Sequence, residues 1–95
     1  MFSGKCRCVR VLYTGRVQGV GFRYMTKTVA QGYEVRGFVK NLSDGRVEMM
    51  VEGTEEELGF FLQAIQDSGL GPCIRGQEAT WTVATGQFKG FEIVR

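Results

Sequence analysis

The chain contains no histidine, one proline and three cysteines in 95 residues. The missing histidine excludes a His general base, Ser-His-Asp and Cys-His nucleophile pairs, and any His-containing metal site. Three cysteines without histidine cannot supply the usual structural zinc set. No apolar run approaches the ~20 residues that span a bilayer. The first residues, Met-Phe-Ser-Gly-Lys-Cys-Arg, carry no apolar h-region, so no signal peptide is read there. Charge of one sign is also lacking. Twelve Lys and Arg face ten Asp and Glu, a net +2, with neither the excess nor the stripe expected of a nucleic-acid binder.

What is present is an ordinary globular composition, 43% apolar and 23% charged. The length suits a single domain over residues 1–95, with a modest core built from regular elements in two layers. Most of the basic residues are arginine, which suits phosphate and carboxylate recognition. In an extended strand Cys6 and Cys8 would have Cα atoms about 6.5–7 Å apart, at or past the usual disulfide limit. Three free thiols in a reducing compartment are expected, with a bridge from Cys73 to either of the others geometrically open.

Residues 6–14 alternate, with Val9, Val11 and Tyr13 on one face, and predict a strand. A Gly-rich turn follows. Phe22, Met25, Thr26, Val29 and Ala30 then recur at helical spacing, and Gly32 can end that helix. Residues 34–41 predict a second strand, Leu42-Ser-Asp-Gly45 a hairpin turn, and residues 46–52 a third strand. Thr54 with Glu57 forms a capping box before Leu58, Phe61, Leu62 and Ile65, which fall at i, i+3, i+4 and i+7. The run Glu55-Glu56-Glu57 is therefore read as helix capping and a solvated face. Residues 69–73 are a loop. Residues 76–84 alternate with Ala79, Trp81 and Val83 on one face, and Phe91, Ile93 and Val94 suggest a short last strand. Of the adjacent pairs, Met49-Met50 is expected to contribute one core and one outer-face side chain, and Phe61 lies on the core stripe with Phe60 partly exposed. Trp81 is expected against a helix. The order βαββαβ predicts a ferredoxin-like α+β sandwich. Four antiparallel strands, plus a short fifth, carry two helices on one face, with the first and third strands central.

The chemistry points to Gly15-Arg-Val-Gln-Gly-Val-Gly-Phe-Arg23, between a strand and a helix. Glycines allow a tight turn, and the amides of residues 18–22 lead into a helix N-terminus, a ready anion site. Arg23 in the first helical turn can fold over that cradle and bind a tetrahedral oxyanion from the side. Taken alone, a Gly-rich connection with a surface arginine is the commoner explanation. The loop is neither a P-loop nor a G-x-G-x-x-G turn. Asn41 ends the second strand. It reads first as a turn former, yet the first strand ends at the loop and the second helix crosses back over the sheet, so Asn41 could sit near the loop, where its amide could hold a water.

These residues match a family. Gly15-Arg-Val-Gln-Gly-Val-Gly-Phe-Arg23 and Gly37-Phe-Val-Lys-Asn-Leu-Ser-Asp-Gly-Arg-Val47, with Gly53 following, resemble the two signatures of acylphosphatases. The closing Gly86-Gln-Phe-Lys-Gly-Phe-Glu-Ile93 also looks like that family's C-terminal end, so the resemblance covers residues 7–94. The departures are Tyr13, where a smaller aliphatic residue is expected, and an undistinctive loop over residues 68–76. The resemblance implies a metal-free, cofactor-free hydrolase that cleaves the carboxyl-phosphate anhydride of small acyl phosphates. Carried over by position, Arg23 and the loop residues Gly15, Val17, Gln18, Gly19, Val20, Gly21 and Phe22 bind the phosphoryl group, and Asn41 orients the attacking water. It further implies inorganic phosphate as product and competitive inhibitor, no nucleic-acid or membrane partner, a monomer, and a cytoplasmic location. Two rival readings share the fold. Arg36-Gly-Phe-Val39 superficially echoes an RNA-binding motif, but on the second strand instead of the third. A non-catalytic accessory domain would carry the same two signatures.

Overall fold

The computed structural model describes residues 5–95. The reading that no signal peptide is present falls partly on residues 1–4, outside the described residues. The elements run β1 (Cys6–Gly15), α1 (Phe22–Ala30), β2 (Arg36–Asn41), β3 (Val47–Thr54), α2 (Glu55–Asp67), β4 (Ile74–Val83) and β5 (Phe91–Val94), with a 3-10 turn at Gly71–Cys73. The sheet order is β4-β1-β3-β2-β5. β1 pairs antiparallel with both β3 and β4, and β2 pairs antiparallel with β3, so β1 and β3 are central as the order of elements requires. β5 joins the free edge of β2 in parallel, making the sheet mixed. This is the ferredoxin-like sandwich with one added edge strand.

Both helices lie on one face. Val9, Val11 and Tyr13 from β1 are fully buried there with Val47, Met49 and Val51 from β3, Val39 from β2, and Phe22, Leu58, Phe61 and Ile65 from the helices. Strict alternation over these strands explains the burial, since side chains two residues apart share a face. α1 buries a narrower stripe than its spacing suggests. Phe22, Thr26 and Ala30 are inside at i, i+4 and i+8, whereas Met25 is exposed. Its end is not a glycine cap either. Gly32 does not adopt a left-handed conformation. Instead Gln31, Gly32 and Tyr33 donate to the carbonyls of Thr28, Val29 and Ala30, a tightening by i→i−3 bonds that satisfies the last carbonyls.

At α2 half of the expected capping box forms. Thr54 Oγ1 accepts from the Glu57 amide at 3.1 Å. The Glu57 carboxylate turns away and accepts from the Glu34 amide at 2.9 Å, tying the helix to the start of β2. That turn also explains why β2 begins at Arg36 and not at residue 34, because the Val35 amide is spent on the Tyr33 carbonyl.

β4 departs most from its pattern. Ala79 and Val83 are exposed, and Trp81 is only partly covered. Trp81 packs against the core cluster, and the Arg7 guanidinium, 5.5 Å from the ring centroid, caps it. The reason is position: β4 is the edge strand away from the helices, whose contacts fall chiefly on β1, β3, β2 and β5. Met50 and Phe60 behave as expected, half-buried and exposed respectively.

From the end of β4 the chain must cross to the opposite edge of the sheet. It does so as a strap over the outer face. Glu52 on β3 accepts from the Thr85 amide and Thr85 Oγ1, both at 2.7 Å, and from the Gly86 amide at 3.0 Å. Phe88 packs edge-on against Phe38 of β2, with ring centroids 5.9 Å apart. Cys6, Cys8 and Cys73 form no disulfide, and burial pushes the Cys8 thiol up from its ordinary value. Among the described residues no helix is long and apolar enough to cross a membrane.

Candidate active site

The Gly-rich loop leaves the sheet at a register shift between Thr14 and Gly15, where β1 slips against β4. Gly15 has φ 127°, and a Cβ there would collide with the Cys73 carbonyl oxygen and lie 2.7 Å from the Arg75 amide nitrogen. A residue with a side chain is excluded on both counts. The Arg16 amide donates to the same Cys73 carbonyl at 2.9 Å and clamps the loop's root. Val17 is buried in the core and pins the next step. Gly19 and Gly21 then take φ of 77° and 79°, two left-handed residues around Val20, and the chain enters α1 with Gly21 as N-cap. Successive amides in such a turn form an anion-binding concavity.

The donors that lead into α1 are of a different kind from those at the loop's root. α1 has no side-chain cap and no acidic residue in its first turn. Among the described residues the backbone amides of residues 17–24 donate to no protein acceptor. Arg23 is half-buried, and no carboxylate lies within 4.0 Å of it among the described residues. Unmet donors, a helix N-terminus and an uncompensated guanidinium converge where an anion would satisfy all three.

Asn41 arrives from the other side. It is the last residue of β2, paired with Val47 across the hairpin. The hairpin closes through the Leu42 amide on the Arg46 carbonyl at 2.8 Å and the Gly45 amide on the Leu42 carbonyl at 3.2 Å, with Gly45 at φ 95°. Asp44 accepts from the Arg46 amide at 3.1 Å and from its Nε at 2.8 Å. Those bonds hold the Asp44 carboxyl below its ordinary value and balance its charge locally.

Val17, Gly19, Gly21, Phe22, Arg23 and Asn41 line one cavity of about 220 Å³, together with Tyr24. The other loop residues named from sequence lie elsewhere. Gly15 lines a neighbouring groove with Thr14, Arg16 and Arg75. Val20 is exposed and outside the cavity lining. Gln18 sends its side chain to the hairpin: Nε2 donates to the Leu42 carbonyl at 2.7 Å and to the Arg46 carbonyl at 2.9 Å. Reading the sequence missed this strut, which binds the cradle to the turn that follows Asn41. It also missed Tyr24. A long amide side chain amid glycines was the one available signal for Gln18, and nothing local identified its acceptors 24 and 28 residues away.

The acylphosphatase family model matches residues 9–93. An acylphosphatase from Salinibacter ruber is 35% identical over 95 residues, the full length of both chains. The crystal structure of acylphosphatase from Bacillus subtilis superposes with a TM-score of 0.86 at 35% identity, covering 94% of this chain and 99% of that one. A full-length HypF, solved in a phosphate- and nucleotide-bound form, contains a similar region. The TM-score is 0.84 at 30% identity, over 99% of this chain and 12% of that far longer one. The chain belongs to the acylphosphatase family and is an enzyme of that class.

Proposed function

We propose that this chain hydrolyses acyl phosphates to a carboxylate and inorganic phosphate, with Arg23 and the loop amides holding the phosphoryl group and Asn41 orienting the water. The observation that carries the reading is the shared cavity of Arg23, Asn41 and the loop, whose backbone amides have no protein acceptor among the described residues. A phosphoryl dianion seated there receives amide N–H groups along the turn and a guanidinium fork from the first turn of α1.

The chemistry asks for little else. Attack by water forms a new P–O bond while the bridging P–O bond breaks, and the acyl oxygen leaves with the electron pair as a carboxylate. The conjugate acid of that leaving group has a pKa of ~4, so it departs without a general acid. The water's proton passes to a phosphate oxygen of the substrate. A loose phosphoryl-transfer transition state needs chiefly positioning and charge stabilisation, which the cradle, Arg23 and Asn41 supply. No step of this scheme calls on a metal or an organic cofactor.

Phosphate release from benzoyl phosphate with a chelator present tests the reading. Turnover should persist. Arg23→Gln should nearly abolish turnover and inhibition by inorganic phosphate together, while Arg23→Lys restores them only in part, lacking the second parallel bond. Asn41→Ala should lower kcat by on the order of 10²-fold and leave the phosphate inhibition constant within a few-fold. A fully active Arg23→Gln variant would refute the assignment.

A further inference from the structure

The root of the same loop lines a second groove, of about 460 Å³, with Thr14, Gly15, Arg16 and Arg75. Both arginines are exposed, and among the described residues neither has a carboxylate within 4.0 Å. The stem of Arg75 crosses the root of the loop, its Cγ 3.2 Å from the position a Gly15 Cβ would occupy. The glycine thus makes room for an arginine as well as for a turn. Two like charges in one groove repel, and no ion pair among the described residues relieves them. Residues 14–33 and 68–77 contain no Asp or Glu. Asp44, on the hairpin, is engaged with Arg46. The phosphoryl cradle does not use this pair, since Arg23 and the amides already serve that group. Arg16 is nevertheless adjacent in the chain to Val17, which lines the cradle, with about 3.8 Å between consecutive Cα atoms.

We propose that Arg16 and Arg75 form an acyl-side subsite that selects acyl phosphates bearing a second oxyanion, a carboxylate or a phosphate, a few bonds from the anhydride. The inference rests on the acyl phosphate reading above and narrows it to one substrate class. Paired guanidinium forks match either oxyanion, and binding one relieves the repulsion between them.

The test compares acyl phosphates that differ in this charge. Butanoyl phosphate is the uncharged reference, succinyl phosphate adds a carboxylate at the same carbon count, and 3-phosphooxypropanoyl phosphate adds a phosphate. At low salt kcat/KM should favour the charged substrates by about tenfold, mostly through KM, as expected for one exposed charge-assisted contact. The preference should shrink at high salt, where exposed charges are screened. Arg75→Gln should bring the ratio towards one and leave butanoyl phosphate turnover and the urea midpoint unchanged. Arg75→Lys should retain part of the preference, and Arg16→Gln should reproduce the loss from the other wall. A higher ratio for succinyl than for the phosphorylated substrate assigns the subsite to carboxylates, and the reverse order to phosphates. A wild-type ratio of one, or a ratio that Arg75→Gln leaves intact, overturns the subsite while butanoyl phosphate turnover upholds hydrolysis. Absence of turnover on all three substrates overturns the hydrolase reading, and the subsite with it.

Discussion

Gln18 provides a direct test of how the cradle and the Asn41 hairpin are held in register. Its Nε2 bridges the Leu42 and Arg46 carbonyls at 2.7 and 2.9 Å. Only the amide nitrogen can face two carbonyl oxygens, so the orientation of the side chain follows from chemistry. Each neutral hydrogen bond contributes about 0.5–1.5 kcal/mol net. Both carbonyls keep a second donor, from the Gly45 and Leu42 amides, so Gln18→Ala orphans neither acceptor. The expected loss of stability is therefore in the lower half of the summed range, about 1–2 kcal/mol. Gln18→Glu is the sharper perturbation. It keeps the shape, removes both N–H donors, and sets a carboxylate against two carbonyl oxygens beside an anion cradle. It should cost more than the alanine, in stability and in phosphate affinity. The functional consequence of Gln18→Ala follows from position. A hairpin loosened by ~1 Å displaces Asn41 and should lower kcat by about 10- to 100-fold, with the phosphate inhibition constant within a few-fold. Urea midpoints, kcat on benzoyl phosphate and phosphate inhibition on the two variants decide the matter. Wild-type kcat and stability in Gln18→Ala, or a milder effect of glutamate than of alanine, would refute the strut.

Two further outcomes concern the sheet. Burial pushes the Glu52 carboxyl up, but the bonds from Thr85 and Gly86 push it further the other way, and its value ends below that of an ordinary glutamate. Its stabilisation is thus fully present above the unfolded value of about 4.3 and is lost as pH falls through the lower folded value. Glu52→Gln should flatten the acid limb of the urea midpoint measured between about pH 2 and pH 7 and loosen the strap; an unchanged limb would contradict the linkage. Tyr13 is fully buried against Phe22, its hydroxyl has no hydrogen-bond partner among the described residues, and burial raises its pKa well above the ordinary value. Tyr13→Phe should leave stability unchanged or raise it by up to about 1 kcal/mol by urea denaturation. A loss of stability would mean that the hydroxyl finds a partner in solution.

Much of the fold is local in origin and was legible in the chain. Alternation placed Val9, Val11 and Tyr13 in the core, and Thr54 opened α2 with the expected bond to Glu57. Asp44-Gly45 marked the hairpin, and the order of elements put β1 and β3 in the centre. These features depend on backbone dihedrals and side-chain spacing within a few residues, which a sequence states directly. The loop, Arg23 and Asn41 stand out in the chain as two compact motifs, but β3 separates their strands in the sheet, and only the fold brings them to one cavity. What only the tertiary structure decided lies between distant segments. Alternation along β4 named a face, but the strand's place at the sheet edge left Val83 in solvent. Glu57 took the Glu34 amide in preference to its own N-cap, and Glu52 found its donors 33 and 34 residues away in the strap. The Gln18 strut and the passage of Arg75 over Gly15 have the same character. Such contacts depend on which elements become neighbours once the apolar faces are buried, and that choice belongs to the packing of the whole chain.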